Sequence, residues 1–239
     1  MYHTVELHSE TQALGFLSWL QGGPEHCRHQ VKELNVGRMV RVSTLADILD
    51  HCQGLTSLEM RFAYYPRGRP QTNYLLDHLD GLMNLTHMYI SLAVYPDYST
   101  FSLPNFKSFH CLTHLHFSES PQAFGTAWKG SPIGFVKLPR LTHLSLPFSL
   151  ITAKQSCAQA VQAFLEEEST QVVILWLIRL EFTMVIERAL RNAEIGGTRV
   201  VLFYHWARKS YELEEGRFWG QAEKLVAWCE QNPGKFFLS

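Results

Sequence analysis

The sequence contains no Cys-x-x-Cys pair, no apolar run long enough to cross a bilayer and almost no net charge. Each absence removes a class of protein. Its cysteines, Cys27, Cys52, Cys111, Cys157 and Cys229, are odd in number and widely separated. That spacing suits neither a disulfide framework nor a zinc module and points to a reducing compartment, cytosol or nucleus. The longest apolar stretches, such as Val172 to Ile178, fall far short of a membrane span. The first residues have no basic segment leading into an apolar run, so no signal peptide is expected. With 21 basic and 22 acidic side chains the net charge is −1, which gives no global field to draw the chain to nucleic acid or an anionic membrane.

Hydrophobic residues make up 46% of the 239 residues, ample for a packed core. They are arranged in a recurring phrase, apolar-x-x-apolar-x-apolar. It reads Leu55-Thr-Ser-Leu58-Glu-Met60, Leu85-Thr-His-Met88-Tyr-Ile90, Leu112-Thr-His-Leu115-His-Phe117 and Leu141-Thr-His-Leu144-Ser-Leu146. Val31-Lys-Glu-Leu34-Asn-Val36 and Val172-Val-Ile-Leu175-Trp-Leu177 fit as well. First positions at 31, 55, 85, 112, 141 and 172 give steps of 24 to 31 residues. Val5 to Leu7 and Val200 to Tyr204 read as further strands at either end.

Side chains alternate across a strand, so the fourth and sixth positions share one face and the third and fifth the other. One strand cannot bury its apolar face alone, whereas stacked neighbours make a continuous core. Helical spacing fills several gaps. Ser9-x-x-Gln12 opens a helix with Ala13, Phe16, Leu17 and Leu20 on one face. Leu45, Ile48, Leu49 and Cys52 form a second such face, and Leu75, His78, Leu79 and Leu82 a third. Helices are also expected over 152–164 and 182–193. Residues 92–111 and 118–140, rich in proline and glycine, read as loops. A closing helix turns Phe218, Ala222, Leu225, Val226 and Cys229 one way, and Asn232-Pro233-Gly234 stops it.

These features predict an α/β fold: an irregular leucine-rich-repeat-like solenoid, seven or eight strands in one parallel sheet ordered along the chain, with helices and loops on the outer side. Residues 1–239 read as one domain, with a cap strand and helix over 1–30, repeats over 31–204 and a capping helix over 205–239.

The phrases and their irregular spacing resemble the leucine-rich-repeat region of fungal F-box-type proteins. The opening Tyr2-His-Thr-Val-Glu-Leu, the strand Arg199-Val-Val-Leu-Phe and the later Phe218-Trp219 and Ala222-Glu223 carry the likeness further. The resemblance implies a protein-binding scaffold, the substrate-recognition part of a ubiquitin-ligase adaptor. The chain starts where the F-box helices of such proteins end, so the linker subunit of the ligase is an expected partner only if an F-box is supplied upstream.

If the fourth and sixth positions face the core, the third and fifth face an open side. That puts Glu59, His87, Tyr89, His114, His116, His143 and Trp176 on one partner-binding surface, the alternative being that a loop or the C-terminal helix folds over Trp176 and makes the site internal. His87, His114 and His143 hold the third position of successive phrases and would stack about 4.8 Å apart. Imidazoles bind zinc or copper, so an enzyme or metal-dependent binder using this ladder is the alternative. A flat ladder projects its ligands in parallel rather than toward one point, and no metal, cofactor or catalytic residue is assigned. No Gly-x-Ser-x-Gly elbow or phosphate-cradling glycine loop is present. Arg61, Tyr64, Tyr65, Arg67 and Arg69 mix base and aromatic as an RNA-gripping loop does, but the balanced charge favours a solvated loop.

Overall fold

The computed structural model describes residues 3–61, 75, 78–91, 107–118, 138–148, 172–177, 199–204 and 215–232. The chain divides into two compact units: residues 1–118 with 138–140, and residues 119–137 with 141–239. The first unit carries β1 (Thr4–Ser9), α1 (Glu10–Gly22), α2 (Glu25–Arg28), β2 (Glu33–Met39), α3 (Val42–His51), β3 (Ser57–Met60), β4 (His87–Ser91), a 3-10 turn (Lys107–Cys111) and β5 (His114–Ser118). The second carries β6 (His143–Phe148), β7 (Val172–Leu177), β8 (Val200–Tyr204) and α4 (Glu215–Gln231). In the first unit β1 to β5 pair in chain order, every pair parallel. In the second β6, β7 and β8 do the same. The fold is α/β with parallel strands, as the recurring phrase predicts. No helix among the described residues is long and apolar enough to cross a membrane.

The register follows the phrase in the first unit. Glu33, Ser57, His87 and His114 lie side by side at the third position, and Leu34, Leu58, Met88 and Leu115 at the fourth. That fourth-position row is buried throughout, as are Val5, Leu7, Val36 and Met60 on the same face. The first-position residues Val31, Leu55, Leu85, Leu112 and Leu141 are buried just ahead of their strands. Burying each such side chain contributes about 1.5–3 kcal/mol.

At β7 the phrase misleads by two residues. Matching first positions would set His143 beside Ile174, but His143 pairs with Val172 and Ser145 with Ile174. Because strand side chains alternate with a period of two, an even shift preserves which residues share a face. The continuous apolar run of β7 offers no polar residue to mark the phase, so sequence matching slips there.

The helices of the first unit explain themselves locally. Ser9 caps α1, its side chain accepting from the Gln12 amide at 3.3 Å. Ala13, Leu17 and Leu20 are buried, and α1 packs on β1 and α3. Arg41, the residue before α3, offers no side-chain cap. Glu10 serves instead: its carboxylate accepts from the Arg41 amide at 2.7 Å and the Thr44 hydroxyl at 2.6 Å. A carboxylate at that helix start also suits the dipole. Gly54 follows α3, where a β-carbon would come within 2.3 Å of the His29 carbonyl oxygen, so only glycine fits. Leu75, Leu79 and Leu82 are buried as expected, and His78 Nδ1 meets Asp50 Oδ1 at 2.6 Å. The helices expected over 152–164 and 182–193 lie outside the described residues, as do most of the two breaker-rich segments.

The free thiols divide by environment. Cys52 and Cys229 are buried and Cys27 and Cys111 half-exposed. Burial pushes the Cys52 thiol up to about 12, so it stays protonated and inert. Trp19 and Trp228 are each 36% exposed. The Trp19 ring lies stacked on Phe16 of its own helix.

The closing helix bears on which side of the sheet is covered. Its Ala222 and Cys229 are buried, as the spacing predicts, but Trp219 is buried with them. The helix packs against β7 and β8 and reaches His143 of β6. His143 is a third-position residue, so α4 lies over the face expected to be open, not on the outer side. Val200 and Val201, neighbours pointing to opposite faces of β8, are both fully buried, as a strand covered on both sides requires.

Candidate functional site

The strand-entry geometry starts with the threonine at the second position of the phrase. Each carbonyl there accepts from the next strand up. Lys32 O takes the amides of Thr56 and Ser57 at 2.8 and 3.0 Å, and Thr56 O those of Thr86 and His87 at 2.9 and 3.0 Å. Thr86 O takes those of Thr113 and His114 at 2.9 and 3.0 Å. The hydroxyls add a third donor: Thr56 to Lys32 O at 3.1 Å, Thr86 to Thr56 O at 3.0 Å and Thr113 to Thr86 O at 3.1 Å. The apolar pattern of the phrase carries no sign of this role. The signal was the threonine's recurrence at one fixed place.

This ladder fixes the histidines that follow. Thr86 Oγ1 lies 3.0 Å from His87 Nδ1, and Thr113 Oγ1 lies 2.9 Å from His114 Nδ1. Each hydroxyl has one hydrogen, already directed to the carbonyl below. The imidazole Nδ1 must therefore carry the proton and donate, which leaves Nε2 as the acceptor of the neutral ring. His87 and His114 then stack with centroids 4.1 Å apart and planes within 13°. Tyr89 and His116 stack the same way, at 3.7 Å and 13°. Burial holds the His87 pKa below its ordinary value, with the Glu33 charge acting in the opposite sense.

Exposure along this face differs from the expectation of one open stripe. His87, Tyr89 and His114 are half-exposed. Glu59 is buried at 7% and His116 at 1%, and in the second unit His143 is buried at 3% and Ser145 completely. Three of them have a physical reason in named neighbours. Glu59 is held by Arg61, two residues on and therefore on the same face, whose Nε donates to the carboxylate. His116 is covered on one side by the Tyr89 ring. His143 lies under α4, with Trp219 edge-on to its ring at 5.5 Å and Glu223 Oε1 3.3 Å from Nε2. Its Nδ1 keeps the threonine contact, 2.8 Å from Thr142 Oγ1. Trp176 registers with Pro147 and Phe203 on β7, and its side chain lies outside the described residues.

The structure thus brings His87 together with His114, Tyr89 with His116 and Glu59 with Arg61, while His143 belongs to a different setting. No group of three or more histidine, cysteine, aspartate or glutamate side chains among the described residues is arranged to hold a metal. The stacked rings show why. Planes nearly parallel, with both Nδ1 atoms tied to threonine, project their Nε2 lone pairs side by side, whereas zinc needs ligands converging at about 2.0–2.1 Å. The face carries the flat rings of His87, Tyr89 and His114 and the carboxylates of Glu6 and Glu33 on the neighbouring strands. Comparison of the chain with protein-family models, curated proteins and solved structures finds no match.

Proposed function

We propose that this chain is a protein-binding scaffold, a leucine-rich-repeat-like solenoid whose recognition surface is the third- and fifth-position face around His87, Tyr89 and His114. One observation carries the reading: half-exposed His87, Tyr89 and His114, their rings in stacked pairs and the two histidines held by the threonine ladder, on parallel strands buried behind. Rings held this way bury area on binding while losing little rotamer freedom, which is the chemistry of interface anchors. Side chains on strands also keep their positions better than side chains on loops.

The finer role follows the resemblance to fungal F-box-type proteins: the scaffold selects substrates for a ubiquitin ligase in the cytosol or nucleus. In such proteins the F-box is the part that docks the linker subunit.

The test is affinity capture from the native cell with wild-type chain and Tyr89→Ala as paired baits, followed by direct titration of the purified partner. The proposal expects a partner retained by wild type and lost by the variant, with the melting temperature nearly unchanged. A partner that binds both equally places recognition elsewhere. Ligase subunits recovered only when an F-box is fused upstream would support the adaptor role, and their recovery with the chain alone would contradict it.

A further inference from the structure

Among the described strands β1 pairs on one side only, with β2. Its phase is set by His3, whose carbonyl accepts from the Lys32 and Glu33 amides at 2.9 and 3.0 Å. Backbone groups alternate in direction along a strand, so those of Val5 and Leu7 also turn to β2. Those of Thr4, Glu6 and His8 point the other way, to the outer edge. The His8 amide is satisfied there: it donates to Gln12 Oε1 at 2.9 Å, and the register shifts between Leu7 and Ser9. Among the described residues no hydrogen bond reaches the outward amides and carbonyls of Thr4 and Glu6. The edge is thus closed at His8 and open over residues 4–6. An open edge is a template for another strand. The helix above it adds an apolar side. Gln12, Phe16 and Trp19 follow at helical spacing and share one flank of α1. The Gln12 contact sets that flank on the open side of β1, whereas Glu10 reaches α3 from the opposite flank. Phe16 is half-exposed, its ring stacked on Trp19.

We infer that β1 pairs antiparallel with β1 of a second copy of this chain, about a two-fold axis at Val5, with each Phe16 over the added strand. The open window is complementary to itself, which singles out a second copy. A two-fold at Val5 sets Thr4 opposite Glu6 of the second copy. Each outward amide then meets an outward carbonyl and none is left over. Nothing is asked of His8. A two-fold at Glu6 would put two carboxylates directly opposite, which destabilises. One at Leu7 would need the His8 amide that Gln12 already holds. The faces match as well. Buried Val5 meets Val5 on the side that carries α1, and the exposed Thr4 and Glu6 side chains stay on the other. This pairing uses the strand edge and one helix flank, so it stands apart from the ring-bearing face and leaves that face to another partner.

The experiment is sedimentation velocity of the full chain from about 1 μM to about 1 mM, with hydrogen exchange read at each concentration. A monomer–dimer equilibrium is expected, in which the Thr4 and Glu6 amides gain protection as the dimer forms. Glu6→Pro is the sharpest variant. The Glu6 amide points away from β2, so proline there spares the β1–β2 ladder and removes only an edge donor. Symmetry doubles the loss, and the dimer dissociation constant should rise at least about tenfold. If Glu6→Pro loses its native circular dichroism, Phe16→Ser on the helix flank replaces it, with weakening again expected. A chain that stays monomeric up to about 1 mM overturns the inference. So does a dimer whose Thr4 and Glu6 amides exchange freely, or one that the folded variant leaves intact. Protection of those two amides in the monomer would mean that another segment already covers the edge, and overturns it too.

Discussion

In the first unit the Thr-His pairs at residues 86–87 and 113–114 stay half-exposed, while in the second the pair at 142–143 is closed over by α4. Phrase, parallel pairing within each unit and threonine contact are the same in both places. What differs is the element laid across the third-position face. A stacked imidazole pair is thus compatible with partial exposure, whereas the buried imidazole lies at 78° to a tryptophan ring, with a carboxylate oxygen 3.3 Å from its Nε2. Sequence position within a repeated phrase sets which face a side chain takes. Whether that face stays open is decided by a helix more than seventy residues further along the chain.

The largest expected effect separates the two units. Trp219→Ala removes the ring over His143 and should destabilise the second unit by about 3–5 kcal/mol, the range for a buried aromatic. Hydrogen exchange should show the amides of α4 opening while β2 to β4 remain protected. Equal loss of protection in both units would mean that the helix does not act locally. Leu115→Ala, at a completely buried fourth position, should cost about 2–5 kcal/mol in the first unit. A denaturation midpoint shifted by less than about 1 kcal/mol would show that the fourth positions do not form the core.

Smaller effects probe the ladder. Thr86→Val keeps the side-chain shape but removes the hydroxyl that donates to Thr56 O and accepts from His87, at about 1 kcal/mol. Nitrogen shifts of His87 should report the Nδ1–H tautomer in the wild type and a mixture in the variant. An unchanged tautomer would remove the threonine from the account. The smallest effect is the pH dependence. The His87 pKa is lowered by burial, so the unfolded chain binds the proton more readily than the folded one. Its contribution to stability is complete above the ordinary value of 6.5 and is lost as the pH falls through the folded value. Replacing His87 by asparagine should flatten the acid limb of the stability curve relative to wild type, and an identical slope would contradict this.

Much of the framework was readable because it depends on periodicity. Apolar alternation at residues 34, 58, 88 and 115 marks both strand and core face, and Ser9-x-x-Gln12 marks the start of α1. The β7 register was not readable, since an unbroken apolar run has no phase. The threonine ladder was visible as a recurrence, but its role depends on a carbonyl supplied by the preceding strand. Exposure was legible least. Nothing near His143 in sequence announces Trp219 and Glu223, and nothing near Glu59 except Arg61 explains its burial. Such contacts arise from tertiary placement, which a repeat phrase does not encode.

The most direct test of the difference between the units is histidine footprinting of the intact chain with diethyl pyrocarbonate, read residue by residue by mass spectrometry. The account predicts that His87 and His114 react several-fold faster than His143, and that Trp219→Ala raises His143 toward them. Equal reactivity of all three in the wild-type chain would contradict it.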